Sequence, residues 1–190
     1  MRPVTRDSLL DYVTYEERRD EIRQRIFEVK AARRVHVGGV LTFLFENTET
    51  IRYQVQEMMR AERIVKEADI LHELETYNDL LGGPGELGCT LLIEIDDPTE
   101  RAAKLAAWVE LPWHLYVSVP SSQGEGPEKV YARFDEAQVG EGRVSSVQYL
   151  KFDTQGRVPI AVGADLAGRL EVEGSLDPAQ REALSEDLSA

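Results

Sequence analysis

From Ile51 to Val65, in IRYQVQEMMRAERIV, apolar positions recur at the period of an α-helix. At about 100° per residue, Ile51, Val55, Met58, Met59, Ala61 and Val65 share one broad face. Gln54 lies at the edge of that face and Glu62 near its middle. The opposite face carries Arg52, Gln56, Arg60 and Arg63, with Glu57 toward one flank. A carboxylate on an apolar face needs a partner, because burying it bare costs several kcal/mol or more. The pattern therefore predicts that Glu62 turns inward, toward Arg33, Arg34 or His36.

Around this segment the chain alternates helical and strand signals. A short capped piece, TRDSLLDYV, precedes a helix over Tyr15–Arg34 with Ile22, Ile26, Val29 and Ala32 along one stripe. Acids gather at its start and bases at its end, the order that the helix dipole prefers. Gly38-Gly39 reads as a two-residue hairpin turn. Val40–Phe45 is apolar on both faces, as a strand inside a layered fold must be. Asn47 or Thr48 caps the central helix, a break falls near Ala68-Asp69, and a further helix runs through Leu71, Leu74 and Tyr77 to the Gly82-Gly83-Pro84-Gly85 stop.

Thr90–Ile95 reads as a strand with Leu91, Ile93 and Ile95 inward. Asp97-Pro98 opens a helix that reaches about Trp108. Beyond it, Trp113, Leu115, Val117 and Val119 alternate with His114, Tyr116 and Ser118. Further strands are expected over Val130–Asp135, Val144–Phe152, Val158–Val162 and Arg169–Glu173, before a last helix at Asp177-Pro178. The loop 121–129, rich in Gly, Ser and charge, is expected to be mobile. Helix and hairpin first, successive strands later, predict an α+β fold: a mostly antiparallel sheet packed with helices, in one domain over residues 1–190.

Composition narrows the function classes. The 190 residues are 42% hydrophobic, enough for one ordinary core, and carry a net charge of -13. Residues 1–95 hold 18 acidic and 13 basic residues; residues 96–190 hold 17 and 9. Nucleic-acid binders advertise a basic patch, so this balance argues against such a partner. The cluster Lys30, Arg33 and Arg34 closes a helix and reads as solvated. No apolar run approaches the ~18 residues of a membrane span, and the first residues lack a secretory leader. A cytoplasmic protein is expected, with no membrane partner.

The single cysteine, Cys89, excludes an internal disulfide or a cysteine-built iron or zinc site, and it reads as a buried thiol. Asp69-x-x-His72 sets a carboxylate and an imidazole one turn apart. A di-iron bundle needs that pair on two helices with two more glutamates, so no metal site is assigned. The GGPGELG stretch, 82–88, lacks the Lys-Ser/Thr of a phosphate loop and reads as a chain reversal. What remains is the central helix, where Gln54, Glu57, Arg60, Glu62 and Arg63 are the candidate ligand- or partner-binding residues. No catalytic residue is identified, and a buried structural network ranks slightly ahead of a ligand site.

FEN followed by the IRYQVQEMMRAERI helix, then ELETYNDLL, GPGEL and TLLIEI, resembles the bacterial family filed as domain of unknown function 3501. The likeness extends from TRDSLL through KAARRVHVG to SVQYLKF and the closing helix. The resemblance implies no activity, cofactor or catalytic residue. It implies a context, since members are often encoded beside rubrerythrin-like and iron–sulfur redox proteins. The reading it favours is a non-enzymatic accessory protein for peroxide defence or electron transfer, with such redox proteins as partners and a homodimer left open. The alternative is an enzyme or sensor that binds a small anion near Arg60 and Arg63, with Glu62 as proton acceptor.

Overall fold

The computed structural model describes the chain apart from Ser122, Gln123, Glu125 and Glu141. Helix α1 (Tyr12–Ala31) starts three residues before the expected Tyr15, because the Asp11 carboxylate accepts from the backbone N–H groups of Val13 and Thr14. Strands β1 (Arg34–Val37) and β2 (Leu41–Glu46) form the expected hairpin. Its turn is one residue longer than expected, since the register pairs Val37 with Leu41. Gly38 and Gly39 both take positive φ, and a Cβ at Gly38 would lie 2.7 Å from Val172 Cγ1. All six residues of β2 are buried.

Asn47 caps α2 (Thr48–Glu62) reciprocally with Thr50, and the helix ends where Arg63 turns left-handed at φ 55°. This shifts the central helix three residues toward the N-terminus of the predicted span. The break before α3 (Glu67–Asn78) falls over residues 63–66, not at Ala68-Asp69. Strand β3 (Glu86–Ile93) takes in the end of the GGPGELG stretch. Glycine is required there: a Cβ at Gly88 would sit 1.9 Å from the Leu80 carbonyl oxygen.

Helix α4 (Pro98–Ala107) starts on the Asp97 cap as predicted. The remaining elements are β4 (Leu115–Pro120), β5 (Pro127–Tyr131), β6 (Val147–Asp153), β7 (Ala161–Leu166), β8 (Leu170–Ser175) and α5 (Pro178–Ser189), the last with a reciprocal Asp177–Gln180 cap. Strands β5 to β8 are displaced by one to four residues from the predicted spans, whereas α5 starts on its predicted cap. Trp113 lies in a short 3-10 turn before β4 and is 43% exposed, so it does not start the alternation. Of the loop predicted over 121–129, residues 122, 123 and 125 lie outside the described residues, and 127–129 belong to β5.

The strands build two antiparallel four-stranded sheets, ordered β1-β2-β3-β6 and β5-β4-β7-β8. The fold is α+β, with a helical N-terminal half and a strand-rich C-terminal half. The main core lies between the sheets: Phe43 and Phe45 of β2, Leu87 and Leu91 of β3, and Phe152 of β6 meet Leu115 and Val117 of β4 and Val162 of β7. Leu105 and Trp108 of the α4 region and Leu184 of α5 close its ends. A second cluster holds Ile51, Val55 and Met59 of α2 with Ile70 and Leu74 of α3, beneath Val4 and Leu9 of the N-terminal strap. Two side-chain amides pin this strap through its main chain. Asn78 binds both N–H and C=O of Val4, and Gln56 does the same for Leu10. Among the described residues no helix is long and apolar enough to cross a membrane.

A buried polar hub joins the layers. Arg33, expected in solvent, is only 7% exposed and forms a two-point ion pair with Asp187 of α5, at 2.7 and 2.9 Å. Asn47 donates to the same carboxylate, while Thr50 and Thr90 donate to buried Glu46. Removing one partner of such a pair strands a charge out of water, which costs about 3–5 kcal/mol. Asp187→Ala should lower the unfolding free energy by about that amount in urea denaturation, whereas Arg33→Met with Asp187→Leu should recover most of the loss.

Candidate functional site

The polar face of α2 is turned toward α1. Glu57, half-buried, accepts from the Tyr15 hydroxyl at 2.7 Å and from two nitrogens of Arg19 at 2.8 and 2.9 Å. Arg60 stands 3.6 Å away, and its buried Nε has no hydrogen-bond partner among the described residues. The Arg19 guanidinium, followed by the Tyr15 hydroxyl, holds the Glu57 carboxyl below the usual carboxylate range against the opposing effect of burial. Burial and the neighbouring Glu57 push the Tyr15 phenol up, so it stays a neutral donor. Glu57 therefore ties the two helices together.

Beside this tie lies a cleft of about 260 Å³ between α1, α2 and the strap. Leu10, Ile22 and Ile26 supply apolar surface, and Tyr15 and Tyr53 supply aromatic walls. Gln56, through its clamp on Leu10, fixes the strap side, where Ser8 also lines the cleft. Three guanidinium groups reach it. Arg25 pairs with Glu49 at 3.0 Å, and Arg18 stands 3.6 Å from Glu21 with both side chains more than half exposed. Arg52 makes no hydrogen bond or salt bridge among the described residues. In a chain with a net charge of -13, this convergence of cations is a local inversion.

The five predicted residues are not brought to one point. Gln54 lies near the Tyr77 hydroxyl on the α3 side. Glu57 and Arg60 stand behind the cleft rather than in it. Arg63 is exposed at the left-handed end of α2. The inward Glu62 is overturned: its side chain is exposed, and among the described residues it forms no salt bridge. The apolar stripe that was to bury it ends at Met59, since α2 stops at Glu62 and Val65 is 71% exposed. None of its expected partners reaches it. Arg33 is taken by Asp187, Arg34 is exposed and forms no salt bridge among the described residues, and His36 lies against Thr42 and Glu94.

The other candidates are also placed. Asp69 and His72 are both exposed on α3, and among the described residues no three potential ligands gather as a metal site. Cys89 is buried in β3, and burial raises its thiol well above the ordinary value. Glu86 accepts from the Gly83 N–H and pairs with Arg133, so the glycine-rich reversal meets its own polar needs.

Two features escaped sequence reasoning. Arg18, Ile22, Arg25 and Ile26 share one face of α1 at i, i+4, i+7 and i+8, a spacing that was legible once Arg52 and Gln56 were placed opposite. The second sheet carries a polar group with no local signal. Asp165 accepts from Tyr131 at 2.6 Å and Lys129 at 3.0 Å, with His114 at 3.4 Å, while Tyr116 and Ser118 bind Glu173. Four strands and a 3-10 turn supply it.

Helices packed on two antiparallel sheets, with an arginine-lined cleft between two of the helices, define the class of protein. The chain belongs to the DUF3501 family, described as protein of unknown function, whose model matches residues 3–188. It is similar, at 31% identity and a TM-score of 0.86, to a crystal structure of a novel protein of unknown function from Burkholderia pseudomallei. That likeness covers 98% of this chain and 100% of the other. No curated protein matches the chain.

The depressed Glu57 carboxyl gives a stability signature with a definite sign. Its contribution is present above the unfolded carboxylate value of about 4.3 and is lost as pH falls through the lower folded value. Glu57→Gln should cost about 1.5–3 kcal/mol at neutral pH. Urea denaturation of the two proteins should show that difference constant above about pH 5 and shrinking below it.

Proposed function

We propose that the protein is a non-enzymatic accessory protein that docks an acidic surface of a partner at the α1–α2 cleft. The observation that carries this reading is the meeting of Arg18, Arg25 and Arg52 at one apolar-floored cleft in a strongly acidic chain. Guanidinium forks suit carboxylates, and complementary charge raises the rate of productive encounter. The partners that the family resemblance implies are rubrerythrin-like or iron–sulfur redox proteins of the cytoplasm, which links the chain to peroxide defence or electron transfer.

A second reading, a sensor of a small anion, draws support from the same cleft, which is bounded on three sides by α1, α2 and the strap. In that reading Arg18 and Arg52 replace Arg60 and Arg63 as the groups that meet the ligand.

Tagged full-length protein recovered from its own cells should bring a redox protein with it. Arg18→Glu with Arg52→Glu should lose that protein while keeping its melting temperature within a few degrees. A wild-type sample that carries no redox protein, or a double variant that carries as much as wild type, counts against docking at this face.

A further inference from the structure

We infer that the group this cleft accepts is a single carboxylate on an apolar stem. The inference rests on the cleft as the recognition element and names its ligand chemistry. Three guanidinium groups face two carboxylates, Glu21 and Glu49, so the cleft has one cation in excess. Arg25 is held by Glu49 at 3.0 Å, whereas Arg52 has no acidic or hydrogen-bonding partner among the described residues and Arg18 is only loosely engaged. One monoanion completes that balance. A second negative charge would meet Glu21 and Glu49 at close range, which disfavours polyphosphates and dense polyanions.

The walls decide the rest of the ligand. Ile22, Ile26 and Leu10 offer no polar atom from their side chains, and the rings of Tyr15 and Tyr53 flank them. Two of the polar groups that border this surface are already engaged. Tyr15 donates to Glu57, and the Gln56 amide bonds both the N–H and the C=O of Leu10. A sugar or a nucleotide base entering here would leave polar groups unpaired against the Leu10, Ile22 and Ile26 side chains, whereas an aliphatic or aromatic stem would not. The clamp and the Glu57 tie fix the cleft walls before a ligand arrives, which lowers the ordering cost of binding.

An apolar stem ending in one carboxylate arises from two sources, a free monocarboxylic acid or the C-terminal residue of a partner with an apolar side chain. Thermal shift and calorimetry on the full-length protein separate them. Octanoate should raise the melting temperature saturably, while acetate and octylammonium should not. Arg52→Gln, with an unliganded melting temperature like that of wild type, should weaken octanoate binding about tenfold, as one charge-assisted pair is lost. Arg18→Gln is the second variant and should weaken it in the same direction.

A peptide ending in two leucines should bind as the free acid and not as the amide if the natural ligand is a partner's tail. Octanoate binding with no peptide binding assigns the cleft to a free acid, and both results support the proposed chemistry. Octylammonium binding as well as octanoate, inorganic phosphate binding better, or both arginine variants keeping wild-type affinity overturns it. If octanoate fails while charge reversal at Arg18 and Arg52 still strips the partner, docking stands and the apolar carboxylate falls. If octanoate binds and no partner is captured, the apolar carboxylate stands and docking falls.

Discussion

The ion pair between Arg33 and Asp187 holds together parts of the chain separated by 154 residues. Arg33 stands between the end of α1 and the start of β1, and its third nitrogen donates to the Val29 carbonyl. Asp187 belongs to the last helix and also receives the Asn47 amide, which caps α2. The end of one helix, the start of another and the closing helix therefore meet at one buried carboxylate. Such a pair is weak evidence for stability in itself, because desolvation offsets much of the attraction. What it supplies is geometry: a planar fork against a carboxylate permits few arrangements, so three elements are fixed relative to one another.

That geometry matters because α1 has little apolar surface with which to place itself. Only Tyr15 and Ile26 of its twenty residues are buried. Its other attachments are polar: Glu57 to Tyr15 and Arg19, and Arg25 to Glu49. Close-packed apolar faces exclude voids larger than a water molecule. A helix held off its neighbour by side-chain bridges does not close the gap in that way, and the cleft is the gap left between those bridges. The same bridges place guanidinium groups at its rim, so the feature that makes α1 a poor core helix also makes it one wall of an arginine-lined cleft.

The N-terminal strap uses a related device. Its main-chain groups have no strand to pair with, and Asn78 and Gln56 take the place of one by presenting an acceptor and a donor to a single residue each. Gln138 satisfies the free edge of β6 at Tyr149 by the same two contacts. These amides answer the requirement that backbone polar groups find partners. In the strap they also allow Val4 and Leu9 to cover the second cluster without belonging to a helix or strand themselves.

Local chemistry alone determined much of the architecture. The caps at Asp97 and Asp177, the glycine turn after β1, the doubly apolar β2 and the amphipathic α2 each follow from residues a few positions apart, and each formed within a few residues of its predicted place. The family resemblance was carried partly by the same stretches, the end of β2, the α2 helix and the closing helix. Burial of charge was not legible in that way. Arg33 looked solvated and is buried, while Glu62 looked buried and is exposed, because each depended on what another part of the chain did: Asp187 arriving from the far end, and α2 stopping one turn early. The cleft has the same origin. Arg18, Arg52 and the strap become neighbours only when two helices and a terminus pack, and a one-dimensional pattern holds the faces of each helix but not which faces meet.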